Sequence, residues 1–270
     1  MNYLHVARAF LWKDFLEESS YRLQFFTSIV SVIASVGFTF FVARFVGEGV
    51  NDKLPDTGGD YFSYLILGMG VQQFQSAALI QLSTKVRNAQ LLGTLEALIG
   101  TRARLSHIIL SMPLFAFLQT SLRVFACIAV GVFMFDMPVI GYRIPLALGM
   151  LALTMLAFSC IGLFVGALTL IFKRANAVTT AILGFSMFLG GVYFPPSEFP
   201  TWLQTASQFF PITHSLDGLR AALLTEGGTD VIANSALALV GFVVVLLPTG
   251  MACFRYALRR SMRDGTLTQY

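Results

Sequence analysis

Six largely apolar stretches follow one another along this chain, each close to or above the roughly 20 residues of helix needed to cross a hydrocarbon layer about 30 Å thick. They run from Phe25 to Val46, Phe62 to Leu82, Ile108 to Phe135, Ile144 to Phe172, Asn176 to Phe194 and Val231 to Phe254. With 56% hydrophobic and only 12% charged residues, polar side chains are too few to cover a water-soluble globule. The expected fold is an all-α integral membrane protein with six transmembrane helices, a single domain over residues 1–270. The third and fourth stretches exceed the minimum length and are expected to tilt.

Orientation follows from Lys and Arg, which bias loops toward the cytoplasm more strongly than acids oppose them. They gather on one side: Arg8, Lys13 and Arg22 before the first span, Lys85, Arg87, Arg102 and Arg104 between the second and third, Lys173 and Arg174 between the fourth and fifth, and Arg255, Arg259, Arg260 and Arg263 after the last. The opposite side holds only Lys53, Arg143 and Arg220, while Arg44 and Arg123 fall within spans. Both termini are therefore expected in the cytoplasm. The net charge of +4 reflects this loop bias and implies no nucleic-acid partner. Cys127, Cys160 and Cys253 lie in apolar runs without a Cys-x-x-Cys pair, which supports neither a disulfide framework nor a zinc site. The first apolar run follows about two dozen residues that include Glu17 and Glu18, unlike a cleavable signal peptide.

Three segments do not span. In residues 1–24, Leu4, Ala7, Leu11 and Phe15 recur at helical spacing, and Trp12 suits the headgroup level, so an interfacial helix is expected. Residues 83–107 are long enough for a cytoplasmic helix that leaves the membrane and returns, with an apolar stripe of Leu91, Leu92, Leu95 and Leu98 around the single acid Glu96. Such a stripe needs a partner surface. Residues 195–230 are too polar to span but carry Trp202, Phe209, Phe210, Leu216, Leu219 and Leu223, so short helices are expected to re-enter the outer leaflet or pack on the outer ends of the spans.

Most catalytic readings fail. No G-x-x-x-x-G-K-[ST] occurs, so the backbone cradle and lysine that hold nucleotide phosphates are missing. Gly184-Phe185-Ser186 resembles a nucleophile segment, but His5, His107 and His214 all lie outside the membrane core and leave such a serine without a base. Asp217-Gly218-Leu219-Arg220 is only a fragment of the metal-binding pattern of lipid-headgroup transferases, with His214 where the preceding aspartate would stand. Gly68 and Gly70 inside a span are ordinary helix-packing residues.

Polar residues within spans usually face protein or water, since exposing them to hydrocarbon is costly. Arg123, near the middle of the third span, either lines a substrate path or bonds a neighbouring helix; the absence of a carboxylate deep in any span favours the structural role. Gln72, Gln75 and Ser76 share one helix face at i, i+3 and i+4 and either contact substrate or bond between helices.

Gly93-Thr94-Leu95-Glu96-Ala97-Leu98-Ile99-Gly100-Thr101 resembles the signature of the type-2 permeases of the ATP-binding-cassette (ABC) transporters. Toward the C-terminus, Gly190-Gly191-Val192-Tyr193-Phe194-Pro195, Pro200-Thr201-Trp202-Leu203, Pro211-Ile212-Thr213-His214 and Asp217-Gly218-Leu219-Arg220 resemble the same family's segment between its last two spans. That resemblance implies a permease subunit, not an enzyme, paired with a second permease subunit as a homodimer in the bacterial cytoplasmic (inner) membrane. A separate cytoplasmic ABC ATPase would dock through Leu91, Leu92, Gly93, Thr94, Leu95, Glu96, Leu98 and Thr101. ATP and Mg would be held by that partner, with no cofactor in this chain. The second and fifth spans would line a central cavity, making Gln72, Gln75 and Ser186, with Ser76 and Arg123, the substrate-pathway candidates. The implied activity is export of a hydrophobic or amphipathic compound, such as a drug-like molecule or lipid. A close variant exports a lipid-linked polysaccharide, and the contrasting class is an ATP-independent channel or secondary carrier, which the absence of a visible inverted repeat disfavours.

Overall fold

The computed structural model describes residues 3–19, 22–50, 60–94, 100, 105–171, 176–226 and 228–263, and the described residues form helices and connecting turns without a strand. Helix α1 (Tyr3–Ser19) precedes α2 (Arg22–Val50). Helix α3 (Tyr61–Ser76) runs through a π-helical turn (Ala77–Gln81) into α4 (Leu82–Leu91). Then come α5 (Leu105–Ser111), α6 (Leu114–Phe135), α7 (Ile144–Ile171) and α8 (Asn176–Leu189). Helices α9 (Thr201–Ser207), α10 (Pro211–Leu224) and α11 (Thr229–Arg263) complete the chain.

Four stretches among the described residues are long and apolar enough to cross a membrane: Val30–Gly47, His107–Phe135, Gly141–Leu170 and Thr229–Arg260. They coincide with the first, third, fourth and sixth apolar runs. The second run is helical throughout, but its α-helix is interrupted by the π turn after Ser76. The fifth is a shorter apolar helix that ends at Leu189, where Gly190 and Gly191 turn the chain.

Local chemistry sets several ends. Asp60 caps α3, its carboxylate accepting from the Ser63 backbone N–H at 3.1 Å and the Ser63 hydroxyl at 2.6 Å. Helix α6 stops at Asp136, which adopts the left-handed conformation (φ 52°) and donates its N–H to the Gly131 carbonyl. Pro113 separates α5 from α6, as expected of a residue without an N–H to give.

The main core joins α2, α3, α6, α7, α10 and α11, and Phe74, Phe158, Ile212, Leu216 and Leu239 are completely buried within it. Helix α10 lies inside the protein, packed on α3, α7 and α11, and the segment read as re-entrant thus buries its polar backbone against other helices. A second, smaller core joins α1, α4, α5, α7 and α11 through Val6, Val86, Ile109, Leu163, Phe254 and Ala257. In lipid, such packing stabilises through close contact and satisfied hydrogen bonds more than through release of water. Phe38, Phe41 and Phe45 on α2 and Leu118, Leu122 and Phe125 on α6 remain exposed, as helix faces turned to lipid or to another membrane chain would be.

Helix α1 has one face turned to the bundle and one turned away from it. Val6, Ala7 and Asp14 face inward, whereas Leu4, Trp12, Phe15 and Leu16 are exposed. An apolar outward face is stable where its surroundings are acyl chains, and this leaves the inward face free to carry a charge.

Candidate functional site

The amide-bearing face of α3 meets α8 in the interior. Gln75 Nε2 donates to Ser186 Oγ at 2.9 Å, joining residues 111 positions apart, and both side chains are buried, at 1% and 0% exposure. The bond consumes one donor of the Gln75 amide, while Gln75 Oε1 and Gln72 Oε1 are buried acceptors without a hydrogen-bond partner among the described residues. An unsatisfied amide oxygen in an apolar interior is costly, and the pair forms a local surplus of acceptors just before the π turn. Ser76 is half-buried on the same helix. Arg123 stands apart: its side chain is exposed on α6 and does not join Gln75 and Ser186.

Nearer the N-terminal end of α3, three side chains converge on the backbone that leaves α8. Tyr64 donates its hydroxyl to the Gly191 carbonyl at 2.8 Å, and Tyr61 donates to the Tyr193 carbonyl at 3.3 Å. Arg220, 2% exposed on α10, donates to the carbonyls of Tyr64 and Gly191, both at 3.0 Å, and its guanidinium lies 3.3 Å from the Tyr64 ring centroid. Gly191 has φ of +78°, a conformation that L side chains rarely adopt. Across from it, a Cβ on Gly68 would overlap the Val192 carbonyl oxygen, so only glycine admits this close approach. Burial raises the Asp217 carboxyl above its ordinary range, against the opposing pull of Arg220 and His214. The fragment Asp217-Gly218-Leu219-Arg220 thus serves packing and pinning. Among the described residues, no group of three or more His, Cys, Asp or Glu side chains is placed to hold a metal.

At the other end, a groove of about 650 Å³ opens between α1, α4 and α6. Its walls include Phe10, Leu92, Phe115 and Ala116, and its polar lining includes Asp14, Glu18, Lys85, Asn88, Thr94 and Gln119. Asp14, 7% exposed, is ion-paired with Lys85, and Lys85 Nζ also donates to the Met112 carbonyl at 2.8 Å. Gln119 Nε2 donates to Glu18 Oε1 at 2.7 Å. Sequence reasoning missed the buried Asp14; its one signal was an acid at position i+4 from Phe10 and i+8 from Val6, on a line otherwise apolar.

The first residues of the expected docking segment border this groove. Leu91 and Leu92 are 55% and 75% exposed, and Gly93 takes a left-handed conformation (φ +65°) where α4 ends. Thr94 Oγ1 donates to the Ala89 carbonyl at 3.4 Å. Leu95, Glu96, Leu98 and Thr101 lie outside the described residues.

Comparison with known proteins adds what geometry alone does not supply. The chain is similar to Nodulation protein J of Rhizobium leguminosarum bv. trifolii, 28% identical over 221 residues that cover 80% of this chain and 82% of that protein. It is likewise similar to Nodulation protein J of Bradyrhizobium diazoefficiens, 27% identical over 205 residues covering 75% and 77%. A shorter match to Nodulation protein J of Sinorhizobium fredii is 32% identical over 106 residues, covering 39% and 40%. The model of the ABC-2 type transporter family matches residues 6–224, from α1 through α10. Family match and apolar helices together make this a membrane protein and a transporter permease subunit: the chain belongs to the ABC-2 type transporter family.

Proposed function

We propose that this chain is the membrane-spanning subunit of an ATP-driven exporter, one of a pair in the bacterial inner membrane, with six spans and both termini in the cytoplasm. The observation that carries this reading is the family match over residues 6–224 in a sequence without a phosphate-binding loop. ATP and Mg then belong to a separate cytoplasmic subunit. It docks on the segment Leu91–Thr101 around Glu96, and closure of the docked subunits drives alternating access. The second and fifth spans, Phe62–Leu82 and Asn176–Phe194, line the path with Gln72, Gln75, Ser76 and Ser186, and Arg123 is a further candidate.

The cargo is a hydrophobic or amphipathic compound, a drug-like molecule or lipid, moved out of the cytoplasm. A narrower reading, a lipid-linked polysaccharide, draws support from the two acceptor oxygens of Gln72 and Gln75, which match hydroxyl donors and have no partner among the described residues. Affinity purification from native membranes tests the exporter reading. An ABC ATPase is expected to accompany the wild-type chain and to be lost or weakened in Glu96→Lys. Transport by the purified chain alone, without ATP, would overturn it.

A further inference from the structure

We infer that Lys85 is a positioning residue that welds the two ends of the docking segment to the interfacial helix, so that α1, α4 and the α5–α6 joint move as one body. The inference rests on the exporter reading for its purpose, but its geometry stands independently. Lys85 lies on α4, which leads into the docking segment, and Met112 lies at the joint after α5, which leads out of it. One ammonium group bridges them, with the Asp14 carboxylate of α1 as its counter-ion.

Three features suit this role. Pro113 breaks the helix at the joint, leaving a hinge between α5 and α6 that would otherwise absorb a push from the docking segment. The Met112 carbonyl at that hinge accepts from Lys85 at 2.8 Å, so the hinge is held from outside its own helix. The ion pair is set beside the second core, where Val6, Val86, Ile109 and Met112 already pack α1, α4 and α5 together. A carboxylate at 7% exposure cannot readily lose its partner, which makes the weld resistant to shear in a way that apolar contacts alone are not. A displacement of the docking segment is therefore delivered to α6 and, through the π turn, to α3, and is not dissipated at the joint.

Pulsed electron resonance on the chain co-purified with its ATPase tests this, with spin labels at exposed Arg8 on α1, Thr84 on α4 and Leu118 on α6, and Cys127, Cys160 and Cys253 replaced by alanine. In the wild-type background, the three mutual distances are expected to change by less than about 2 Å between nucleotide-free and ATP–vanadate-trapped states, as for rigid elements. Lys85→Met should broaden the Arg8–Thr84 distribution and reduce ATPase stimulation by the permease about tenfold, while Lys85→Arg, which keeps charge and donors, restores both. Asp14→Asn is the second variant if Lys85→Met fails to insert, because it spares the bond to Met112; it should broaden the same distribution. A shift of about 5 Å, one helical turn, among the wild-type distances would overturn the inference, as would unchanged distributions in Lys85→Met and Asp14→Asn. Failure of the exporter reading looks different: no ATPase accompanies the wild-type chain, yet the label distances still report whether Lys85 holds the three elements together.

Discussion

The guanidinium carbon of Arg220 stands 3.3 Å from the centroid of the Tyr64 ring, while one of its amino groups donates to the Tyr64 backbone carbonyl at 3.0 Å. Tyr64 is thus held by ring and backbone at once, and its own hydroxyl passes the restraint to Gly191. Removing the guanidinium in Arg220→Met gives up two charge-assisted bonds and the ring contact, an expected cost of about 2–4 kcal/mol. Tyr64→Phe gives up one hydroxyl bond, about 1 kcal/mol. Heating the detergent-purified chain and following maleimide access to buried Cys127 and Cys160 should rank Arg220→Met well below Tyr64→Phe and wild type. Equal losses in the two variants would show that the guanidinium adds nothing to the tyrosine.

Gly68 makes a prediction opposite to helix propensity. In an ordinary helix interior, Gly→Ala stabilises by about 1 kcal/mol. Here the new Cβ would overlap the Val192 carbonyl oxygen and stand 3.2 Å from an Arg220 nitrogen, in backbone that the pinned Gly191 cannot release. Gly68→Ala should therefore destabilise by about 2 kcal/mol or more. Gly37→Ala on α2, where a Cβ would meet nothing within 4 Å, is the control and should be neutral or mildly stabilising. Similar melting of the two variants would rule out the close approach of the Val192 carbonyl to α3.

The bond between Gln75 and Ser186 lends itself to a double-mutant cycle. Ser186→Ala leaves a buried amide donor without its acceptor and should cost about 1–3 kcal/mol. Gln75→Leu removes that donor together with the unpartnered Oε1, so the combined variant Gln75→Leu, Ser186→Ala should be more stable than the sum of the single losses by about 1 kcal/mol. Additive losses would mean that the two side chains do not interact in the folded protein.

These three sites mark where sequence patterns stop being informative. The apolar runs, the shared face of Gln72, Gln75 and Ser76, and the short helices after Pro195 follow from periodicity and residue type, which act over a few positions. The partners of those residues do not. Ser186 lies 111 positions from Gln75, Asp14 lies 71 from Lys85, and Arg220 lies 156 from Tyr64, and no local spacing encodes such meetings. The π turn at Ala77–Gln81 was equally illegible, because neither proline nor glycine marks it. The stripe of Leu4, Ala7, Leu11 and Phe15 marks α1 as a helix, but nothing in its spacing marks Asp14 as buried. A pattern rule assumes that apolar residues turn inward, and beside acyl chains that assumption lapses, so Asp14 rather than Phe15 is buried.

Asp217 supplies a pH-dependent prediction. Burial raises its carboxyl above the ordinary value of 3.8, and the attraction of Arg220 and His214 only partly offsets this. Between the ordinary and the raised value, the folded chain keeps a proton that the unfolded chain has lost. Stability attributable to this group is therefore present at low pH and declines as pH rises through that window. Asp217→Asn keeps the shape and removes the titration. Its thermal midpoint should exceed that of wild type near about pH 7 and converge with it below about pH 3, where the carboxyl is protonated in the folded and the unfolded chain alike. Because other acids titrate over the same range in both proteins, the difference between variant and wild type is the quantity to follow. If the wild type instead gains on Asp217→Asn as pH rises, the attraction of Arg220 outweighs burial, and α10 is held by a working ion pair.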